Sequence, residues 1–219
     1  MKPAPALQST NLTVKQRRAA KREEKLATFR RQQKRSRRNR RITAISIPVA
    51  VLAITGAIVL SVILIPKPPS YTAGGSGVVI EGVSTFENVS THVQAPVTYT
   101  ETPPAGGSHS PTWLNCGTYT QPVPEENAVH SLEHGAIWVT FDPSLDASQL
   151  GALRSRLPTT QVILSPYDGL PAPIVLSGWN VQLELGSADD SRIATFFEEY
   201  WNGENAPEPG ASCTGGVDG

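Results

Sequence analysis

The sequence predicts an α+β protein: a single transmembrane helix followed by a small extracytoplasmic domain whose helices pack on a short, mainly antiparallel sheet. Three observations lead there. Charge is partitioned along the chain, with 15 Lys/Arg against 2 Glu in residues 1–41 and 4 Lys/Arg against 17 Asp/Glu in residues 42–219, a balance of +13 against −13. An uncharged run of 24 residues, Ile42 to Ile65, lies between the halves. Beyond residue 80, helical and strand periodicities follow one another as strand, helix, strand, strand, helix, which suits helices on one small sheet better than repeated βα units.

Four segments follow: a basic cytoplasmic tail (1–41), a transmembrane helix (42–65), a Pro/Gly-rich spacer (66–80) and an extracytoplasmic domain (81–219). The tail is rich in Lys, Arg, Glu, Gln and Ala from Thr13 to Arg41 and is predicted helical. Its charge suits anionic lipid headgroups, at about 1 kcal/mol per basic residue near the surface. With only Phe29 available for stacking and no recognisable module, nucleic acid is not an expected partner. The apolar run would span roughly 36 Å as a helix, enough to cross a hydrocarbon core of about 30 Å. Pro48 falls in its first turns, where a membrane helix tolerates it. The run is too long, starts too late and lacks a following A-x-A site for a cleaved signal peptide, so a signal anchor is expected. Arg35, Arg37, Arg38, Arg40 and Arg41 abut one end and Lys67 the other, so the positive-inside rule places the N-terminus in the cytoplasm and the domain outside the cell membrane.

Within the outer domain, residues 84–109 read as loop-rich with a strand candidate at Val97–Tyr99. A short helix is predicted from Glu125 to His134, opened after Pro124 and stopped by Gly135. AIWVTF (136–141) reads as a strand, and SLDASQLGALRSRL (144–157) as an amphipathic helix capped by Ser144 or Asp146. QVILSPY (161–167) is a strand. PIVLSG and WNVQLEL form a strand pair or one bent strand broken near Gly178. SADDSRIATFFEEYW (187–201) is a last helix, with Ser187 as cap and acids in its first turn.

The chemistry concentrates in few residues. Cys116 and Cys213 are the only cysteines. In an oxidising compartment an even pair reads as a disulfide, here closing a loop for which chain entropy gives about 4.5 kcal/mol; the alternative is Cys116 as a thiolate metal ligand. All four histidines, His92, His109, His130 and His134, fall within 43 residues. His130 and His134 stand i, i+4, so on a helix they share a face and can share an ion, whereas on a strand they would be about 13 Å apart. Clustered imidazoles outside the cell suit copper(II) or zinc. The expected site has His130 and His134 as ligands, completed by His109 or His92, with Glu133 orienting a ligand or accepting a proton. Asp168 and the PYDGLPAP loop could wall it. HSLEH also matches the inverted zinc-protease pattern H-x-x-E-H, with Glu133 as catalytic base of a metal-dependent hydrolase. That motif needs a long helix and a further acid; Gly135 stops this helix at once, and Glu198 and Glu199 lack any distinctive motif. A third reading is a cell-envelope interaction scaffold with structural histidines and no metal.

The stretches TPPAGGSHSPTWLNCGTY (102–119), PVPEENAVHSLEHGAIWVTFDP (122–143), LSPYDGLPAPIVLSGW (164–179), LGSADDSRIATFFEEY (185–200) and PEPGASCTGG (207–216) together resemble the actinobacterial domain of unknown function family 3105. The resemblance covers nearly all of residues 85–216. It implies a basic tail and one membrane span before the domain, and it sets His92, His109, Cys116, His130, Glu133, His134 and Cys213 on motif positions. Gly178 stands where the family's pattern has Ala. No activity is implied.

Overall fold

A computed structural model describes residues 14–64 and 67–219. Lys2, Thr13, Ile65 and Pro66, which belong to the expected tail, span and spacer, lie outside the described residues. The chain divides into two units, one up to residue 66 and one from residue 67 onward.

The first unit is one helix, α1 (Val14–Leu64), in which the predicted basic helix and the apolar run are continuous. Its apolar part is long and apolar enough to cross a membrane by length and composition. Because the helix begins upstream, Pro48 lies well inside it rather than in its first turns, and its missing N–H leaves one carbonyl of the preceding turn without a helical partner.

The second unit is α+β. Its elements are β1 (Val83–Thr85), β2 (Thr91–His92), β3 (Ser108–His109), β4 (Gly117–Thr118), α2 (Glu125–Glu133), β5 (Ile137–Phe141), α3 (Ala147–Ser155), β6 (Val162–Pro166), β7 (Ile174–Gly178), β8 (Val181–Leu185) and α4 (Arg192–Tyr200). A six-stranded sheet runs β1-β8-β7-β5-β6-β4. The β1–β8, β8–β7 and β7–β5 pairs are antiparallel, and β5–β6 and β6–β4 are parallel. β2 and β3 form a separate parallel pair.

Strand alternation sorts the core into two layers. From β5, Ile137, Val139 and Phe141 face one side with Val162 and Leu164 of β6, against Leu153 of α3 and Ile193, Phe196 and Phe197 of α4. Trp138 and Ile163 face the other side, against Val129 and Leu132 of α2, Leu114 and Trp179. The central strands are therefore buried on both faces.

Four local expectations differ from what forms. Val97–Tyr99 is not a strand: the Val97 amide donates to Glu126 Oε1 and the Tyr99 hydroxyl to the Ser108 carbonyl, so side chains supply the partners a ladder would have given. α4 starts at Arg192, because Ala188 N donates to Gln149 Oε1 and Asp190 Oδ1 accepts from Arg192 N, which holds 187–190 as a turn. α3 is shorter than 144–157: Asp142 accepts from Ser144 N in a turn of its own, and Asp146 caps the helix by accepting from Ser148 N and Gln149 N. The Pro/Gly-rich spacer is docked on the domain at Tyr71 and at residues 76–78. Tyr71 stacks on Phe197 at 5.0 Å, and the amides of Ser76 and Gly77 donate to Glu199. The bend anticipated near Gly178 is a two-residue turn, Trp179–Asn180, with Asn180 at φ 60°.

Candidate metal centre

The histidines meet because three irregular segments converge on α2. The parallel pairing of β2 with β3 sets His92 directly beside His109, and their rings meet edge to face at 4.8 Å. The loop after β3 is bound to α2 by Ser110 N→Glu126 O and Leu114 N→Asn127 O. The C-terminal strap closes the other end: Glu208 N and Gly210 N donate to the carbonyls of Glu133 and His134, which the helix leaves without partners. Gly135 ends α2 at φ 88°, and a Cβ there would come within 3.0 Å of Asn202 Cα, so the stop is enforced by packing as well as by conformation.

The ligand-type atoms of His92, His109, His130 and Glu133 all lie within 4.8 Å of one another, and this group could hold a metal ion. Glu133 Oε2 is the hub: His109 Nε2 lies 3.0 Å away, His92 Nε2 3.3 Å and His130 Nε2 3.8 Å. The other carboxylate oxygen accepts from the Ser90 hydroxyl. His134 stands outside the group of four; its Nε2 is 3.0 Å from His130 Nε2 and 3.8 Å from Oε2 of the exposed Glu208. Trp179 packs edge-on against His109, and Trp113 lies against His130 and His134.

The outer hydrogen bonds define what the inner atoms can do. His109 Nδ1 is 2.7 Å from the Gly107 carbonyl, His130 Nδ1 2.6 Å from that of Ser110, and His134 Nδ1 2.6 Å from that of Ser212. A carbonyl only accepts, so each Nδ1 carries the proton and donates it. In each ring Nε2 then points inward, toward Glu133 or, between His130 and His134, toward the other ring. Two Nε2 atoms 3.0 Å apart, or an Nε2 3.0 Å from a carboxylate oxygen, need a proton or a metal ion between them. Adjacent donors on one ion at 2.0–2.1 Å are about 2.9–3.4 Å apart, which matches the shorter separations here. Carbonyl-tethered imidazoles are also the usual support of metal-binding histidine.

Electrostatics agree with ligating forms. Burial pushes the His130 imidazole below its ordinary value, against the Ser110 hydrogen bond; His134 and His109 push it the same way and Glu133 opposes them, and the net direction favours the unprotonated ring that ligates. For Glu133, burial pushes the carboxyl up, but the Ser90 hydroxyl, His109 and His130 outweigh it and hold the group ionised below the usual carboxylate range.

Of the residues singled out in the sequence, His92, His109, His130 and Glu133 are brought together, with Glu133 among the donor atoms rather than behind them, and His134 is reached through His130. Cys116 and Cys213 are joined in a disulfide, with Cα atoms 5.3 Å apart, which removes Cys116 as a thiolate ligand. The PYDGLPAP loop does not wall the site: Leu170, Pro171, Ala172 and Pro173 line a cleft with Asp142, Ser144, Leu145 and Asp146. Glu199 spends both carboxylate oxygens on the backbone amides of residues 76–78. Sequence reasoning missed Ser90, Trp113, Trp179 and the three carbonyl tethers. Ser90, two residues before His92, carried a faint signal; backbone carbonyls carry none.

A histidine–carboxylate cluster, carried by α2 and the loops around it on one face of an α+β sheet, defines the class of protein. The chain belongs to the family described as protein of unknown function (DUF3105), whose pattern matches residues 92–215, from the first histidine past the second cysteine. No curated protein and no solved structure matches it.

Proposed function

We propose that this chain is a single-pass membrane protein whose extracytoplasmic domain binds one copper or zinc ion through His92, His109, His130 and Glu133, with His134 beside them. The observation that supports this most is the convergence of imidazole Nε2 atoms, with Nδ1 of His109 and His130 tethered to carbonyls, on a buried carboxylate oxygen. An ion there would be bonded by all four donors at once. All donors are nitrogen or oxygen, a set that favours copper(II) or zinc over copper(I). The disulfide supports an oxidising compartment. The basic helix supports a cytoplasmic N-terminus that attracts anionic headgroups.

The test is elemental analysis and metal titration of the full chain purified in detergent. One equivalent of copper or zinc is expected. Affinity should fall more than about a hundredfold in His130→Ala and His109→Ala, because loss of an outer hydrogen bond alone costs about 10- to 100-fold. A parent chain that binds neither ion, or a His130→Ala chain that binds as the parent does, would leave the histidines with a structural role. Orientation is tested separately: protease added to intact cells should remove the domain and spare the tail.

A further inference from the structure

The four donors are not equivalent. The His109, His130 and Glu133 side chains are 0%, 5% and 4% exposed, while that of His92 is 49% exposed. His109 and His130 are each tethered at Nδ1 to a carbonyl, and Glu133 is tethered at Oε1 by Ser90. His92 Nδ1 has no hydrogen-bond partner among the described residues; the ring's one hydrogen bond is through Nε2 to Glu133. Its ring contacts are also within the cluster, stacked on His130 at 4.8 Å and edge-on to His109, rather than with the core. The backbone beneath it is β2, two exposed residues held only by β3 and by Val93 N→His109 O. Few buried contacts and a short exposed ladder mark the part of a fold that opens most easily.

We propose that His92 is the exchange ligand of this site. It leaves first, and a small nitrogen or oxygen donor from solvent takes its coordination position on an ion that His109, His130 and Glu133 continue to hold. The inference rests on the metal reading above. The step is a ligand substitution: the His92 Nε2–metal bond breaks, a bond from the incoming donor to the metal forms, and neither metal nor ligand changes oxidation state. Three protein donors with one replaceable position is also the arrangement of metal sites that hand over or act on a bound molecule, in contrast to closed structural sites. His134 does not fill this role. Its side chain is 5% exposed, its Nδ1 is tied to Ser212, and its Nε2 faces His130.

The experiment compares the full-length parent, His92→Ala and His130→Ala in detergent, with zinc affinity measured by chelator competition and zinc release to excess chelator measured by stopped flow. In His92→Ala, affinity is expected within about tenfold of the parent, release at least about tenfold faster, and both to return toward parent values with millimolar imidazole. In copper(II)-loaded His92→Ala, 15N-imidazole should restore one nitrogen coupling to the electron paramagnetic resonance spectrum. If His92→Ala loses as much affinity as His130→Ala, or releases zinc no faster and ignores imidazole, His92 is an ordinary ligand; the exchange assignment falls while the metal reading stands. If the parent itself binds neither zinc nor copper, both fall together.

Discussion

The two faces of the six-stranded sheet are built by different means. On one, α3 and α4 cover Ile137, Val139, Val162, Leu164, Ile174 and Leu176 with apolar side chains in regular elements. That face depends on area removed from water, and its polar bonds are caps and turns at the rim. On the other, a single short helix is surrounded by loops, the β2–β3 pair and the C-terminal strap. There a smaller apolar cluster, with Leu114, Val129, Leu132, Trp138 and Ile163, is joined by specific bonds: carbonyl tethers, Ser131 between α2 and Leu114, and the Cys116–Cys213 disulfide. Apolar burial is non-directional and tolerates variation, whereas converging lone pairs must be aimed. Stability can therefore come from the first face and positional accuracy from the second.

The comparison breaks most visibly through the apolar face. Phe196 is fully buried on α4, and Phe196→Ala should cost about 3–5 kcal/mol by denaturant or thermal unfolding. At temperatures where the variant is still folded, zinc or copper stoichiometry should match the parent. Loss of metal from folded Phe196→Ala would show that the two faces are coupled.

Cys213→Ser strikes the opposite face. It should cost about 2–5 kcal/mol, since the bridge closes a long loop. Here metal affinity should fall as well, even in folded protein. The strap that the bridge anchors carries the Ser212 carbonyl that holds His134, and Cys116 N donates to the Cys213 carbonyl at 2.8 Å. Unchanged affinity in folded Cys213→Ser would mean that the strap's hydrogen bonds suffice without the bridge.

The same division explains what the sequence revealed. The apolar face was legible in the type and order of its elements, though not in the ends of its two helices. AIWVTF and QVILSPY read as strands, of which Ile137–Phe141 and Val162–Pro166 form, and SLDASQLGALRSRL as a helix from Leu145, Leu150, Leu153 and Leu157 on one side, of which Ala147–Ser155 forms. The site face was legible in its chemistry but not in its geometry. The Pro124 start, the Glu125–Glu126 first turn and the Gly135 stop located α2, and the lone cysteine pair located the bridge. Nothing in the string announced that β2 would pair in parallel with β3, because a two-residue strand has no period to detect. Nor could spacing show that Glu133 turns inward among the rings, since that depends on loops distant in sequence. The late start of α4 has a local cause, the competition of Asp190 and Gln149 side chains for backbone amides.

A smaller effect is expected at Ser131, fully buried on α2 between two site residues. Its hydroxyl donates to the Leu114 carbonyl at 2.7 Å and accepts from the Leu114 amide at 3.1 Å. Ser131→Ala should cost about 1–3 kcal/mol, because it leaves a buried carbonyl without that donor. It should also loosen the loop that carries Ser110, the tether of His130, and so weaken metal binding modestly. Calorimetric titration of the variant measures both consequences, and an unchanged affinity would confine Ser131 to stability.

The smallest effect sharpens the contrast from the apolar side. Asp146 caps α3 by accepting from Ser148 N and Gln149 N, each at 2.9 Å. Asp146→Ala should lower the melting temperature by about a few degrees at neutral pH, while Asp146→Asn, which keeps an acceptor, should lower it less. The Ser148 hydroxyl first, then the Gln149 amide, hold the Asp146 carboxyl below its usual range. A carboxyl depressed in the folded state contributes stability that is complete above its unfolded value, near about 3.9, and is lost as pH falls through the folded value. The gap between parent and Asp146→Ala should therefore be full at pH 7 and narrow only in strong acid. Across that whole range the substitution should leave metal affinity equal to the parent's at each pH, because α3 lies across the sheet from the histidines and shares no hydrogen bond with them. Thermal melts and zinc titrations at matched pH values measure both halves of the expectation. A change in affinity with Asp146→Ala would show that the sheet transmits strain from one face to the other.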